Sequence, residues 1–114
     1  MFNFCYRLEY VPQLDASSVR NIYNVFNYCR SLIDFGGFTN LGMSFNNNDG
    51  EHYRTLDLSG AKLLNHTSLM NVINNLYDLN LNGQLGILNL GTTNLEKLTS
   101  DEIAIATSKG WIVK

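Results

Sequence analysis

Phe2-x-x-Cys5-x-x-Leu8-x-x-Val11 returns further along this chain as Phe26-x-x-Cys29-x-x-Leu32-x-x-Phe35. Each matching pair lies 24 positions apart, as the two cysteines show (29 − 5 = 24). A fixed period of about 20–50 residues indicates one supersecondary unit that is used more than once. Such a unit buries its apolar edge against a neighbouring unit, which predicts a stack with a continuous core.

A second and longer repeat follows in the other half of the chain. Leu56-Asp57-Leu58-Ser59 matches Leu88-Asn89-Leu90-Gly91 at an offset of 32 (88 − 56 = 32). The Leu-x-Leu spacing alternates between two faces, as expected for a short parallel strand. The repeat unit therefore becomes longer along the chain.

The offset of 24 lies within the roughly 20–29-residue range of leucine-rich repeats. Together the two repeats predict an α/β fold, a short leucine-rich-repeat solenoid with a helical C-terminal closing element. We expect one domain over residues 1–114. Residues 1–42 hold the 24-residue repeats, residues 43–54 form a loop or a hairpin, and residues 55–114 hold the longer repeats and the C-terminal cap.

Local patterns predict several elements of the first half. Pro12 ends a short strand around Tyr10-Val11, because proline has no amide hydrogen for a strand ladder. Helical or 3₁₀ spacing is expected over residues 19–26, where Val19, Ile22, Val25 and Phe26 recur at suitable intervals.

The second half carries clearer helix signals. Thr67 or Ser68 is predicted to cap a helix whose apolar stripe is Leu69, Val72, Ile73 and Leu76. Thr99 and Glu102 form a capping-box pattern before a helix that runs to about Ser108. Residues 111–113 are predicted to be extended and to cover the end of the core.

The composition is that of a globular protein. Hydrophobic residues make up 45% of the 114 residues and charged residues 16%, with a formal net charge of −2. The basic residues are scattered and form no block, so nucleic acid is not expected as a partner. No run reaches the roughly 18 apolar residues of a membrane span, and the first residues do not form a secretory signal.

Two cysteines occupy equivalent positions in adjacent repeats. Neighbouring strands lie about 4.8 Å apart, a separation that a disulfide tolerates. The other interpretation is a ladder of small buried thiols, which we favour, because stacked parallel side chains seldom reach the disulfide torsion.

The sequence offers no reactive cluster. His52 and His66 lack a cysteine or carboxylate at zinc-ligand spacing, and residues 46–51 lack the ligand pattern of a calcium loop. The serines lie outside any nucleophile motif, and the cysteines lack a strongly basic neighbourhood. We therefore expect no enzyme activity, no metal and no cofactor.

Aromatic residues crowd the first repeats. Tyr6, Tyr10 and Tyr28 fall between core positions and are expected to be exposed, and exposed tyrosines suit protein or glycan contact. We predict a binding face formed by Tyr6, Glu9, Tyr10, Gln13 and Tyr28. The alternative is that these tyrosines are simply solvated residues of the rim.

The first repeats resemble the BspA-type leucine-rich repeat family. The family unit runs approximately Met-Phe-x-x-Cys-x-x-Leu-x-x-Ile-Pro-x-Leu-Asp-Thr-Ser-x-Val, and residues 1–19 follow it with Ala16 in place of threonine. Val25 stands where the family has methionine. The second half, in residues 56–59, 69–76, 90–95 and 103–111, is similar to the C-terminal end of such arrays.

The resemblance implies a role outside the cell, on a bacterial surface or in a phage tail. We expect a non-enzymatic module that recognises a protein or a glycan on a cell surface. The alternative is a structural module that only assembles a larger particle. Because Met1-Phe2 begins inside a unit, we also expect either further repeats upstream or self-association through the N-terminal edge.

Overall fold

The computed structural model describes residues 5–114. The described chain is a small α/β structure with three α-helices and seven short strands, and its principal extents are 35 × 30 × 21 Å. Its radius of gyration of 12.8 Å agrees with the value of about 13 Å expected for a compact domain of this length. Within residues 5–114 no helix has both the length and the apolar character needed to cross a bilayer.

Four two-residue strands build the first half: β1 (Tyr10–Val11), β2 (Leu14–Asp15), β3 (Asp34–Phe35) and β4 (Phe38–Thr39). β1 pairs in parallel with β3, and β2 pairs in parallel with β4. Tyr10 lies opposite Asp34, so the pairing register equals the first repeat offset of the sequence (34 − 10 = 24). The strand predicted before Pro12 is confirmed as β1.

The second half contains a three-stranded parallel sheet in the order β5–β6–β7. Its strands are β5 (Thr55–Asp57), β6 (Gly86–Asn89) and β7 (Trp111–Val113). Leu56 lies opposite Leu88, so this register equals the second repeat offset of the sequence (88 − 56 = 32). The extended segment predicted at residues 111–113 is confirmed as β7, where Trp111 is buried.

The α-helices all belong to the second half: α1 (His66–Asn75), α2 (Gly91–Leu95) and α3 (Ser100–Ser108). Leu69, Val72 and Ile73 of the predicted stripe are buried as α1 packs against β3 and β4. The capping box of α3 is confirmed, since Thr99 and Glu102 each bond the other's backbone N–H. The predicted cap of α1 is wrong, because Asn65 accepts from Ser68 instead.

The predicted leucine-rich-repeat solenoid with its helical closing element is wrong. A solenoid needs strand pairing that continues from unit to unit, whereas the strands form three separate small sheets. The change in unit length separates the two halves, because strands paired at the offset of 24 and strands paired at the offset of 32 do not share one register. The two sheets of the first half share the offset of 24 and are interrupted by the residues between β1 and β2 and between β3 and β4. Leu41 and Leu76 form an isolated parallel bridge.

Three smaller expectations have different outcomes. Residues 19–26 form no helix, and residues 23–26 form a turn, although Ile22, Val25 and Phe26 are buried as their spacing implied. Residues 43–54 form a loop that ends in a 3₁₀ turn at Glu51–Arg54, and no hairpin forms there. The N-terminal edge at Met1-Phe2 lies outside the described residues.

The core of the first half is aromatic. Phe26, Phe35 and Phe38 are buried, and their ring centroids lie 5.0 to 5.8 Å apart. Edge-to-face pairs at this separation add about 1 kcal/mol each beyond the burial of their area. The three rings therefore fasten the turns of residues 24–28 to the strands β3 and β4.

Buried polar side chains hold the short strands to the helices. Ser68 of α1 accepts the N–H of Phe35 at 2.9 Å and donates to the carbonyl of Ile33 at 3.1 Å. Asn94 of α2 is fully buried, and its Nδ2 donates to the carbonyls of Leu58 and Leu90 and, at 3.2 Å, of Ala61. Strands of two to four residues leave many such groups to satisfy.

Two lysine side chains likewise donate hydrogen bonds to backbone carbonyls. The Lys109 ammonium donates to the carbonyls of Ile73, Asn74 and Leu76, where α1 ends. The Lys97 ammonium donates to the carbonyls of residues 62 and 64 and to the side-chain oxygen of Asn94. Burial lowers the pKa of both ammonium groups because it removes water from them.

Asn94→Ala tests the importance of the buried amide. We expect a loss of about 2–3 kcal/mol in the free energy of unfolding, because three buried carbonyls lose a donor at once. Urea denaturation followed by circular dichroism measures this loss. Thr93→Ala, at an exposed position of the same helix, serves as the control. Equal stability of the two variants would contradict the role given to Asn94.

Glu102→Gln tests the charge in the capping box. The pKa of Glu102 is lowered mainly because the Thr99 N–H donates to its carboxylate, with His66 contributing at 2.7 Å. A lowered pKa in the folded state stabilises the fold above the unfolded-state pKa, and this stability is lost as the pH falls through the folded-state pKa.

The stability difference between the wild type and Glu102→Gln should therefore be present at pH 7 and shrink toward about pH 3. Urea denaturation across this range measures it. Asp101→Asn removes a charge from the same turn and is the control. A difference that stays constant with pH would show that the carboxylate charge has no part in the capping box.

Candidate functional site

A cavity of the described chain forms an open groove beside the turns of residues 24–30. Its volume is about 660 Å³, within the range of roughly 300–1,000 Å³ typical of ligand sites. The opposite wall is the segment that follows β5. We call this cavity the tyrosine groove, and its lining residues are Tyr6, Asn24, Phe26, Asn27, Tyr28, Arg30, Asp57, Ser59, Gly60, Lys62 and Leu63.

Two tyrosines and an arginine form one end of the tyrosine groove. The Tyr6 and Tyr28 ring centroids are 6.2 Å apart, and the Arg30 guanidinium carbon lies 4.9 Å from the Tyr6 centroid. This guanidinium is close enough for a cation–π contact. Tyr6 is 44% exposed and Tyr28 is 48% exposed. Both rings thus offer surface to a ligand while their neighbours restrict their movement.

A smaller cavity of about 130 Å³ adjoins the tyrosine groove. We call it the side cavity, and its lining residues are Tyr23, Asn24, His52, Thr55 and Asp57. Asn24 and Asp57 line both cavities, so the two are adjacent. Tyr23 packs edge-on against His52 at 5.1 Å and against Tyr53 at 6.1 Å. A second aromatic cluster therefore stands beyond the shared residues.

Polar groups occupy the junction of the two cavities. Asp57 ends β5, and its Oδ1 accepts from both the N–H and the hydroxyl of Ser59. Its Oδ2 accepts no hydrogen bond from the described residues. The side-chain amide of Asn24 likewise makes no hydrogen bond with the described residues. The junction therefore presents a carboxylate oxygen and an amide to a ligand, each with bonding capacity to spare.

The backbone at this site is held in an uncommon conformation. Asn24 has a φ of 55° and Tyr28 a φ of 62°, both in the left-handed region. Asparagine tolerates this region, whereas an aromatic residue is rarely found there. Such strain persists only where the surroundings fix it, and it is frequent at functional sites.

Two of the five predicted binding residues line the tyrosine groove. Tyr6 and Tyr28 are exposed as expected and come together there. Glu9, Tyr10 and Gln13 are also exposed but do not line either cavity. Tyr10 lies on β1 and is 62% exposed.

Sequence reasoning misses several of the lining residues. Arg30 and Asn24 lie within the 24-residue repeat, but their side chains match no motif. In the sequence, Asp57 is only the outward residue of Leu-x-Leu, and Tyr23 is only a neighbour of core positions. The available signal is the polar alternation around Asp57, which places its side chain away from the core.

The remaining candidate groups do not form a reactive centre with the tyrosine groove. Cys5 and Cys29 are both thiols, and Cys29 is fully buried. Burial raises the pKa of the Cys29 thiol, with Cys5 among the further influences, and this disfavours the reactive thiolate. Among residues 5–114, no group of three or more His, Cys, Asp and Glu is arranged to hold a metal ion.

No family model, curated protein or solved structure matches this chain. The resemblance to the BspA-type family therefore stays a prediction from the quoted residues.

Tyr28→Gly and Tyr28→Ala together test the left-handed backbone. Both remove the ring, but only glycine adopts this φ without strain, so Tyr28→Gly should be the more stable by about 1 kcal/mol. Thermal and urea denaturation of the two variants give the difference. Position 23, whose φ is not positive, is the control. There Tyr23→Ala should be at least as stable as Tyr23→Gly. If the alanine variant is the more stable one at both positions, the backbone at Tyr28 is not strained.

Proposed function

We propose that this chain is a non-enzymatic recognition module that binds a protein or a glycan of a cell surface through the tyrosine groove. The observation that supports this most directly is the pair of half-exposed rings, Tyr6 and Tyr28, at 6.2 Å in a cavity of about 660 Å³. Rigid tyrosine rings supply contact area with little loss of conformational entropy, as they do in other binding surfaces.

The setting of this recognition is the surface of a bacterium or the tail of a phage. This part of the proposal rests on the resemblance of the repeats in residues 1–19 and 56–111, and on the surface chemistry of the tyrosine groove.

The chemistry of the tyrosine groove supports binding without turnover. Asp57 is the one carboxylate among the described residues that line the two cavities. Hydrolysis of a glycosidic bond by acid–base chemistry ordinarily uses a pair of carboxylates placed across the bond. A lone carboxylate with Asn24 and Ser59 around it is better suited to accept hydrogen bonds from a ligand.

Binding to whole cells tests the proposed function. A fluorescent fusion of the chain is titrated onto intact bacteria and onto epithelial cells, and the bound fraction is measured by flow cytometry. We expect saturable binding to at least one surface and a loss of about tenfold or more in Asn24→Gly and Tyr28→Gly, because central contacts carry most binding energy.

Tyr10→Ala is the matched control, since it removes an exposed tyrosine outside the tyrosine groove. Glycine at positions 24 and 28 is compatible with the local backbone, so these variants should stay folded. Binding that is equal in the wild type and in both glycine variants would refute a role of the tyrosine groove. Absence of saturable binding to every surface would instead favour the assembly module.

A further inference from the structure

We infer that the ligand of the tyrosine groove is a neutral oligosaccharide of at least two sugar rings, bound across the tyrosine groove and the side cavity. This inference rests on the proposed function and deepens it. It follows from three features: aromatic rings in both cavities, hydrogen-bonding groups at the junction, and a carboxylate at the junction that disfavours an anionic ligand.

The aromatic rings match the apolar faces of sugar rings. A pyranose ring carries C–H groups on its faces and hydroxyl groups around its edge, so it packs on an aromatic face with its edge directed at polar groups. Tyr6 and Tyr28 contribute exposed ring surface to the tyrosine groove, and Tyr23 contributes exposed ring surface to the side cavity. Contacts with Arg30 and with His52 hold these rings before a ligand arrives, which lowers the entropic cost of binding.

The junction supplies acceptors and donors for hydroxyl groups. Asp57 Oδ2 can accept a hydroxyl hydrogen, and the Asn24 amide can both donate and accept. Ser59 donates its own hydroxyl hydrogen to Asp57 Oδ1, which leaves its oxygen as an acceptor. Because neighbouring hydroxyls of a sugar need both donors and acceptors within a short distance, this set fits a diol better than it fits an apolar side chain.

The charges disfavour a phosphorylated or strongly acidic ligand. Arg30 and Lys62 are the two cations of the tyrosine groove, and the Arg30 guanidinium keeps its charge where it stacks on Tyr6. The Asp57 carboxylate lies at the junction, where it would repel a phosphate or a carboxylate of the ligand. The part of the ligand that lies at the junction is therefore neutral.

The backbone around the tyrosine groove disfavours a peptide that binds by adding a strand. A peptide that adds a strand needs an exposed sheet edge with a row of free backbone groups. The walls are instead the turns of residues 24–30 and the loop of residues 59–63, and Asp57 is the lining residue that belongs to a strand.

The size of the site indicates more than one sugar ring. Asn24 and Asp57 line both cavities, so a ligand that bonds them at the junction reaches the rings on either side. Tyr28 and Tyr23 should then contact different sugar rings of the same ligand. Removal of Tyr23 should cost affinity for oligosaccharides while leaving the weaker binding of monosaccharides unchanged.

An array of defined saccharides tests this inference. Its probes are neutral di- to hexasaccharides, their sialylated and sulfated analogues, and the component monosaccharides. We expect binding to neutral oligosaccharides and at least about tenfold weaker binding to monosaccharides and to sulfated analogues. Tyr28→Gly and Tyr23→Ala should each lose about tenfold or more on oligosaccharides, and Tyr10→Ala should match the wild type.

Periodate and protease treatment of the cells separates the two proposals. Periodate cleaves vicinal diols, so it should abolish cell binding even on cells where protease treatment does not. Binding that depends on the tyrosine groove, resists periodate and is lost after protease treatment would overturn the saccharide and leave the recognition module standing. If Asn24→Gly and Tyr28→Gly bind cells as strongly as the wild type, both the saccharide ligand and the recognition role of the tyrosine groove are refuted. Preferred binding of sulfated or sialylated probes would overturn the neutral class.

Discussion

Parallel pairing between segments that lie far apart in the sequence is the constraint on which the rest of this structure depends. The paired strands of the first half have only two residues each, and none is joined to its partner by a tight turn. A pair of two-residue strands forms too few hydrogen bonds to be stable alone. Side chains of the helices therefore bond some of the remaining backbone N–H and C=O groups. Ser68 does so for β3, while Asn94 fastens the turn after β5.

The candidate site follows from this arrangement. Once Thr55–Asp57 is fixed beside β6, the segment after it faces the turns of residues 24–30, and the space between them remains open. The turns cannot fold away from the tyrosine groove, because Phe26 is locked against Phe35 and Phe38 in the core. Neighbouring residues in one turn therefore have opposite roles, with Phe26 anchored inside and Tyr28 directed outward.

The repeats in the sequence predicted the pairing partners but not the architecture. Leu56 opposite Leu88 and Tyr10 opposite Asp34 could be read from spacing, because equivalent residues pair at a fixed offset. The spacing did not reveal that the strands form three separate sheets, two of them at the same offset, since this depends on where the chain passes between the strands. Tyr6 and Tyr28 were predictable as exposed residues, whereas Asp57, Asn24 and Tyr23 meet only through tertiary packing.

No two strands within residues 5–114 pair as a hairpin. This affects how the chain folds. Even the strand partners nearest in sequence, such as Tyr10 and Asp34, are a full repeat apart, so every sheet requires the closure of a long loop before it forms. Chains dominated by such distant contacts fold slowly, on a scale of about milliseconds to seconds. During synthesis, Tyr10–Val11 must wait until Asp34–Phe35 has left the ribosome, and α1 must follow before that pair gains its buried bonds from Ser68.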